Sequence, residues 1–500
     1  MNQSFDILVI GGGPAGSYIA LKFANDGFKV GIVDKNQRTN FWFKHCGSIV
    51  SPTVFDFFKK VDIEVPDAAK TYFETVKVFD NQLAELAMVK LPLVHLDRVI
   101  LGKTVIDKIV QNDIQLFDNN MAIKLILDKN TVKGVQLQTG EKIYSRIVID
   151  ATGYIGLLRS QLLQLVPIWR IDKEDVELAI MTTIKGRSIM ETLSLIVDKT
   201  LFPGGYGWVT PNKNSFTVGL GLQPIIKNIS LHGRLSLLRK LLGVRGEYTP
   251  PGVGLIYARR PFGTLVYNGY ALVGESGSQG NPLFGGGILG ALIAADMAFK
   301  SIKNCIENSI NENPTISDLW RYNIDFMKDR GKFLAILDAL RIFVQGLSNE
   351  ELKELASYLP PKVSLKLRDT VKIGLKALKT IAKSRIFWRI LDAYRAAIEV
   401  QRLYEKYPKK PEDFAHWSKS DNELFAKLKE KLLKEIDLPY DTGACGEECS
   451  KRKFTKYIRS ELYKSARELI DVYIGNDQYY KEAEDLICLL YTSPSPRDRG

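Results

Sequence analysis

Residues 5–34 constrain this chain more than any other stretch. Phe5-Asp6-Ile7-Leu8-Val9-Ile10 reads as a buried strand that runs into Gly11-Gly12-Gly13-Pro14-Ala15-Gly16. A helix from Ser17 to Asp26 follows, then a second strand, Lys29 to Val33, that ends on Asp34. This is the strand, turn, helix and acid-tipped strand of a dinucleotide-binding unit. Gly11 lets the chain turn sharply. Gly13 removes the Cβ that would keep a pyrophosphate from the backbone, and Gly16 lets the helix lie close on the sheet. The helix start, with Ala15 in its first turn, offers free N–H groups and a partial positive charge to phosphates. Asp34, followed by Lys35, is placed to accept hydrogen bonds from a ribose. An ordinary glycine-rich turn would lack the acid-tipped second strand.

Composition narrows the class. Five hundred residues suggest about three domain-sized units. The chain enters its first strand at Phe5, so no secretory signal peptide is expected, and five cysteines fit a reducing cytoplasm. The longest weakly charged run, Gly285 to Phe299, is too short to span a bilayer and contains Asp296. The net charge of +12 raises nucleic acid or an anionic membrane as partners. There is no nucleic-acid module, and the basic residues concentrate in the last two hundred positions without interleaved aromatics. A solvated lysine-rich surface accounts for most of them.

The fold class expected is α/β: a Rossmann-like domain, an inserted antiparallel β-sheet substrate domain and a helical C-terminal region. Residues 1–165 and 266–300 are assigned to the nucleotide domain, 166–265 to the β-rich domain and 301–488 to the helical region. Residues 132–137 and the Thr139-Gly140-Glu141 turn read as a hairpin. Strands are expected at Glu177–Ile184, Leu193–Val197, Ser215–Leu222 and Gly254–Tyr257. Residues 489–500 are rich in proline and serine and resemble read-through into a sequencing adaptor, a non-native tail that casts doubt on the neighbouring Cys488.

Two further segments extend the nucleotide site. Ile147-Val148-Ile149-Asp150-Ala151-Thr152-Gly153 is a strand with a small-residue end. Val273-Gly274-Glu275-Ser276-Gly277 is followed by Gly285-Gly286-Gly287 and a helix from Ile288. Gly285, Gly287 and Gly290 also match GxGxxG, but no strand feeds them and no acid-tipped strand follows. One extended FAD is the better reading. Its diphosphate would lie at Gly11–Gly16, its ribityl chain near Gly274-Glu275, and its ring at the start of the second helix, near Gly286 and Gly287.

Together these motifs resemble the p-hydroxybenzoate hydroxylase class of flavoproteins, and within it the geranylgeranyl reductase family. Lys44-His45-Cys46-Gly47 matches that family's Cys-Gly near the flavin. Pro203-Gly204-Gly205-Tyr206-Gly207-Trp208-Val209-Thr210-Pro211 follows its PxxYxWxFP pattern except at Thr210. Arg98 stands where the class has an arginine opening a helix under the cofactor. The resemblance covers roughly residues 5–300. It departs at Glu275-Ser276, where the class has Asp-Ala, and this weakens the ribityl contact expected there.

The resemblance implies an FAD-dependent reductase that saturates double bonds of geranylgeranyl chains in lipids or their precursors. Tyr206 and Trp208 would wall the site, and Cys46 would supply or steer a proton. With no second full fingerprint, the reductant, NAD(P)H or a ferredoxin-like carrier, must dock transiently. The protein is expected in the cytoplasm, peripheral on a membrane. Lys362 to Arg389 is a lysine-rich amphipathic stretch that suits a membrane surface, although a helix packed on its own protein explains the same pattern and is the default reading. Cys445 and Cys449 lack partners for a zinc site and read as a loop pair. A flavin monooxygenase, a flavin halogenase and a non-catalytic prenyl-binding escort protein are the alternatives.

Overall fold

A computed structural model describes residues 3–223, 230–244, 246–308, 313–357, 363–364 and 385–433. The chain opens with β1 (Gln3–Ile10), α1 (Pro14–Asn25), β2 (Val30–Val33), β3 (Ile49–Val50), α2 (Val54–Lys59), β4 (Lys70–Phe79) and β5 (Glu85–Leu96). It continues through α3 (Arg98–Gln111), β6 (Gln115–Phe117), β7 (Ala122–Asp128), β8 (Thr131–Leu137), β9 (Lys142–Asp150) and α4 (Leu157–Ser160). Then come β10 (Val176–Lys185), β11 (Leu193–Ile196), β12 (Tyr206–Pro211), β13 (Ser215–Leu222), α5 (Leu231–Leu241) and β14 (Gly252–Tyr257). The hairpin β15 (Val266–Tyr267) and β16 (Tyr270–Leu272) leads into α6 (Ile288–Asn308).

Two sheets result. The first has the order β15-β16-β9-β1-β2-β6, with β8 on β9 and β7 on β8. β1 pairs in parallel with β2 and β9, and its residues Ile7 to Val9 are fully buried, as a strand covered on both faces requires. The second sheet runs β14-β10-β13-β12-β11-β4-β5, antiparallel except where β11 meets β4. Leu178, Ile180, Val209, Val218 and Leu220 on one face pack with Leu235 and Leu238 of α5. The two-domain α/β plan is as expected.

The boundary between the domains differs. Residues 49–96, assigned from the sequence to the nucleotide domain, supply β3, β4 and β5 to the second sheet. Alternating side chains mark a half-buried strand but do not say which sheet it joins.

Beyond α6 the described chain is almost entirely helical: α7 (Ile316–Phe326), α8 (Lys332–Gln345), α9 (Asn349–Ser357), then Arg385–Glu405 and Phe414–Leu433, with Val363–Ser364 pairing on β5. These helices are tied to the β-rich domain by buried ions. Arg260 reaches Asp421 at 2.7 Å, Lys429 reaches Asp175 at 2.8 Å, and Arg341 of α8 lies 3.9 Å from Asp175. Residues 434–500, with Cys445, Cys449, Cys488 and the tail, lie outside the described residues, as does most of 362–389.

Candidate active site

The glycine turn has the shape that its sequence demands. Gly11 has φ +102°, and a Cβ there would meet the Ala151 carbonyl at 2.5 Å. A Cβ on Gly16 would lie 1.8 Å from the Gly11 carbonyl oxygen, so α1 rests directly on the strand end. Gly13 faces open space, with nothing within 4 Å. Asp34 is buried, and its carboxylate accepts the Gly12 N–H at 2.6 Å and the Asn36 N–H at 2.8 Å. It therefore braces the turn as well as standing where a ribose would lie. Burial pushes its pKa up, against the pull of those two hydrogen bonds. Lys35, beside it, is exposed.

The three motifs converge. Gly274, at φ +79°, lies where a Cβ would touch the Ala15 side chain at 3.1 Å and Ala291 at 3.4 Å, so the starts of α1 and α6 meet at one strand end. Gly153 (φ +76°) is open within 4 Å, Gly286 meets only Asn281 at 3.9 Å, and Gly287 accepts the first helical hydrogen bond of α6, from Ala291. Glu275 is fixed in place within the protein, its Oε1 accepting the Tyr257 N–H at 2.7 Å. The Ser276 hydroxyl donates to the Asp150 carbonyl at 2.5 Å. Both departures from the class pattern thus have partners inside this protein.

Arg98 begins α3, where Asp97 caps the helix by accepting the N–H groups of Val99 (2.9 Å) and Ile100 (3.0 Å). The Arg98 guanidinium is buried, lies 6.0 Å from the Trp42 ring centre and feels the nearby Cys46 thiol. Its Nε has no partner among the described residues. A buried unpaired donor suits a ligand with acceptor groups. With the helix starts and side-chain-free glycines, the residues present fit FAD.

The second sheet closes the site. On β12, Tyr206 and Trp208 point away from the α5 core, and the register sets what shares their face. Tyr206, Gly221, Ala179 and Gly254 form one row across four strands. Trp208, Gly219, Met181 and Gly252 form the next. The Trp208 ring fills the space over Gly219, and the His45 ring fills that over Gly252. Over Gly221 and Gly254 nothing comes closer than 3.7 Å, which leaves a trough across the sheet. Its roof comes from the nucleotide domain. A Cβ on Gly47 would lie 3.7 Å from Trp208 Nε1, and the Tyr206 hydroxyl donates to the Phe284 carbonyl at 2.7 Å. Cys46, half-buried between His45 and Gly47, accepts the Ser48 N–H at 3.4 Å.

Thr210, the departure from the aromatic pattern, pairs across the strands with Thr217, and both hydroxyls are buried without partners among the described residues. Beyond it Leu193, Val76 and Phe73 continue the face as an apolar cluster. The glycines of the trough and Glu177 at its edge were missed in the sequence. Gly-Leu-Gly at 219–221 and Gly-Val-Gly at 252–254 carry the signal: glycines two apart clear one face of a strand. A surface cleft of about 550 Å³ between α2 and β4 contains none of these residues. Among the described residues no group of His, Cys, Asp or Glu is arranged to hold a metal ion, and no helix is long and apolar enough to cross a membrane.

Fold and site together define a two-domain FAD-binding flavoprotein. The family model for glucose inhibited division protein A matches residues 6–162. A digeranylgeranylglycerophospholipid reductase of Sulfolobus acidocaldarius is 27% identical over 462 residues, covering 86% of this chain and 99% of the relative. A second such reductase, from Methanopyrus kandleri, is 26% identical, covering 75% and 96%. The structure of a geranylgeranyl bacteriochlorophyll reductase-like protein from Thermoplasma acidophilum superposes with a TM-score of 0.68 at 20% identity, covering 79% of this chain and all of that one. The FAD-dependent chondrochloren halogenase from a myxobacterium aligns with a TM-score of 0.56 at 15% identity, covering 80% and 97%. These matches bear out the resemblance to geranylgeranyl reductase-type flavoproteins.

Proposed function

We propose that this protein is an FAD-dependent reductase that saturates carbon–carbon double bonds of geranylgeranyl chains in lipids or their precursors. The observation that carries the reading is the trough. Its floor, Gly221, Ala179 and Gly254, has almost no side chains, Tyr206 and Trp208 wall it, and the loops that hold the FAD motifs roof it. The reductase names of the relatives agree with it.

An isolated alkene is a poor hydride acceptor, so the site must hold the chain still, exclude water and protonate one carbon as the other is attacked. Gly11, Gly13, Ala15 and Gly16 would receive the diphosphate, and Asp34 and Lys35 the ribose end. Arg98, Gly153, Gly274 and Glu275 would line the middle of the cofactor, and Gly47, Gly286 and Gly287 its ring end. Bound and reduced, FAD supplies the hydride. Tyr206 and Trp208 press the prenyl chain flat, and Cys46, near Arg98 and accepting the Ser48 N–H, steers the proton. The electron donor, NAD(P)H or a ferredoxin-like carrier, docks transiently, and the lipid is drawn from a membrane that the protein meets peripherally.

The test is direct. Reduced protein under anaerobic conditions should convert a geranylgeranyl lipid in steps of about two mass units per double bond. Oxygen consumption with hydroxylation or halogenation of an aromatic substrate would overturn the reading.

A further inference from the structure

We propose that Glu177 is the acid of this site, giving its carboxyl proton to the alkene carbon that does not receive hydride. The assignment rests on the reductase reading above. Glu177 is the second residue of β10, two before Ala179, and so projects onto the trough face. Gly221 leaves the space between it and Tyr206 empty. The Glu177 Oε2 atom lies 4.0 Å from where a Gly221 Cβ would stand, and Gly221 is the residue opposite Tyr206. Tyr206 feels the charges of both Glu177 and Cys46. The carboxyl is therefore at the wall against which the alkene would lie.

Its surroundings suit an acid that is loaded and discharged. Only 9% of Glu177 is exposed. From α8, the Gln345 amide donates to Oε1 at 3.2 Å, and Arg341 adds a nearby positive charge. From the β11–β12 connection comes Lys199, whose ammonium also holds the carbonyls of Val344 (2.8 Å) and Gln345 (3.2 Å). Asp175, two residues earlier, is occupied by Arg259, Arg341 and Lys429.

Burial pushes the Glu177 carboxyl up to about 7, against the pull of Arg341 and Lys199. Burial pushes Lys199 down to about 8, with Arg389 acting the same way. The Tyr206 hydroxyl is pushed well above its ordinary value by burial and by its charged neighbours. Of these two protonated groups facing the trough, the carboxylic acid is thus the stronger by a wide margin. The reaction balances: hydride from reduced FAD forms one C–H bond, and the Glu177 proton forms the other. The carboxylate left behind is countered by Arg341 and Lys199 and takes up a proton from water after product leaves.

The test uses the full-length, FAD-loaded protein. Single-turnover alkene reduction by pre-reduced wild type should fall about tenfold per pH unit above the Glu177 pKa. Glu177→Gln should be slower by about a hundredfold or more, with a flat profile. Glu177→Asp should keep part of the rate and the pH dependence, and FAD content reports whether either variant has folded. A readout independent of turnover is the thermal midpoint. Glu177→Gln should match wild type only below about pH 4 and exceed it increasingly up to about pH 8, because the unfolded chain ionises this carboxyl near its ordinary value of 4.5 while the folded one resists to about 7. A Glu177→Gln protein as fast as wild type, with an unchanged pH profile, overturns the assignment alone. A wild type that reduces no prenyl lipid overturns the reading beneath it as well.

Discussion

Gly13 and Gly16 are the same residue three positions apart, and they answer different demands. Gly16 is required by the protein itself, since any side chain would strike the Gly11 carbonyl. Gly13 faces open space, so its bareness serves something outside the chain. Gly13→Val should therefore fold with nearly the wild-type thermal midpoint yet purify colourless, while Gly16→Val should lose several degrees or fail to fold. Absorbance of bound flavin, measured beside the midpoint, separates the two. Cys46→Ala should slow alkene reduction about tenfold or more through lost alignment, with FAD content unchanged. A merely packed cysteine would instead cost about 1 kcal/mol of stability with turnover intact. Both glycines and Cys46 were legible in the sequence because local motifs carry them. Glu177 was not, because its importance depends on Gly221 and Tyr206, which reach it only through strand pairing.

The elements show the same division. The strands from residue 177 onward were legible as strand-like runs, those of residues 49–96 were not assigned to this sheet, and the first βαβ unit was legible from its turn chemistry. The trough needed the register of four strands, which no single segment encodes. Gly221→Leu should project a side chain into it without touching the nucleotide motifs. The expected result is normal FAD content and a KM for a geranylgeranyl lipid raised about tenfold or more, as overfilling a packed site implies. Gly205→Leu makes the contrast, because a Cβ there would lie 2.1 Å from the Gly221 carbonyl oxygen. It should lower the thermal midpoint instead.

At the scale of the whole molecule, buried ions join the β-rich domain to the C-terminal helices. Asp338 accepts Arg341 at 2.7 Å and the Arg260 N–H at 3.0 Å, with no exposure to solvent. Asp338→Ala would leave two buried guanidinium groups under-compensated and should cost about 3–5 kcal/mol, measured by denaturant unfolding. Burial alone would raise Asp175, yet Arg259, Lys429 and Arg341 hold it below the ordinary carboxylate value of 3.8. Its contribution is present above that value and is lost as pH falls through the lower folded one. The Asp175→Asn protein should therefore be less stable than wild type at neutral pH, and the gap should close only in strong acid.

The hydrogen bond from Tyr206 to Phe284 joins the two halves of the proposed reaction chamber, each of which has its own core. Neither half contains a working site, so the chamber behaves like a mould whose halves must stay in register to cast anything. Mild shear between them would open the seam long before either half melted. Catalysis should thus disappear at a denaturant concentration where the far-ultraviolet circular dichroism of both sheets is still intact.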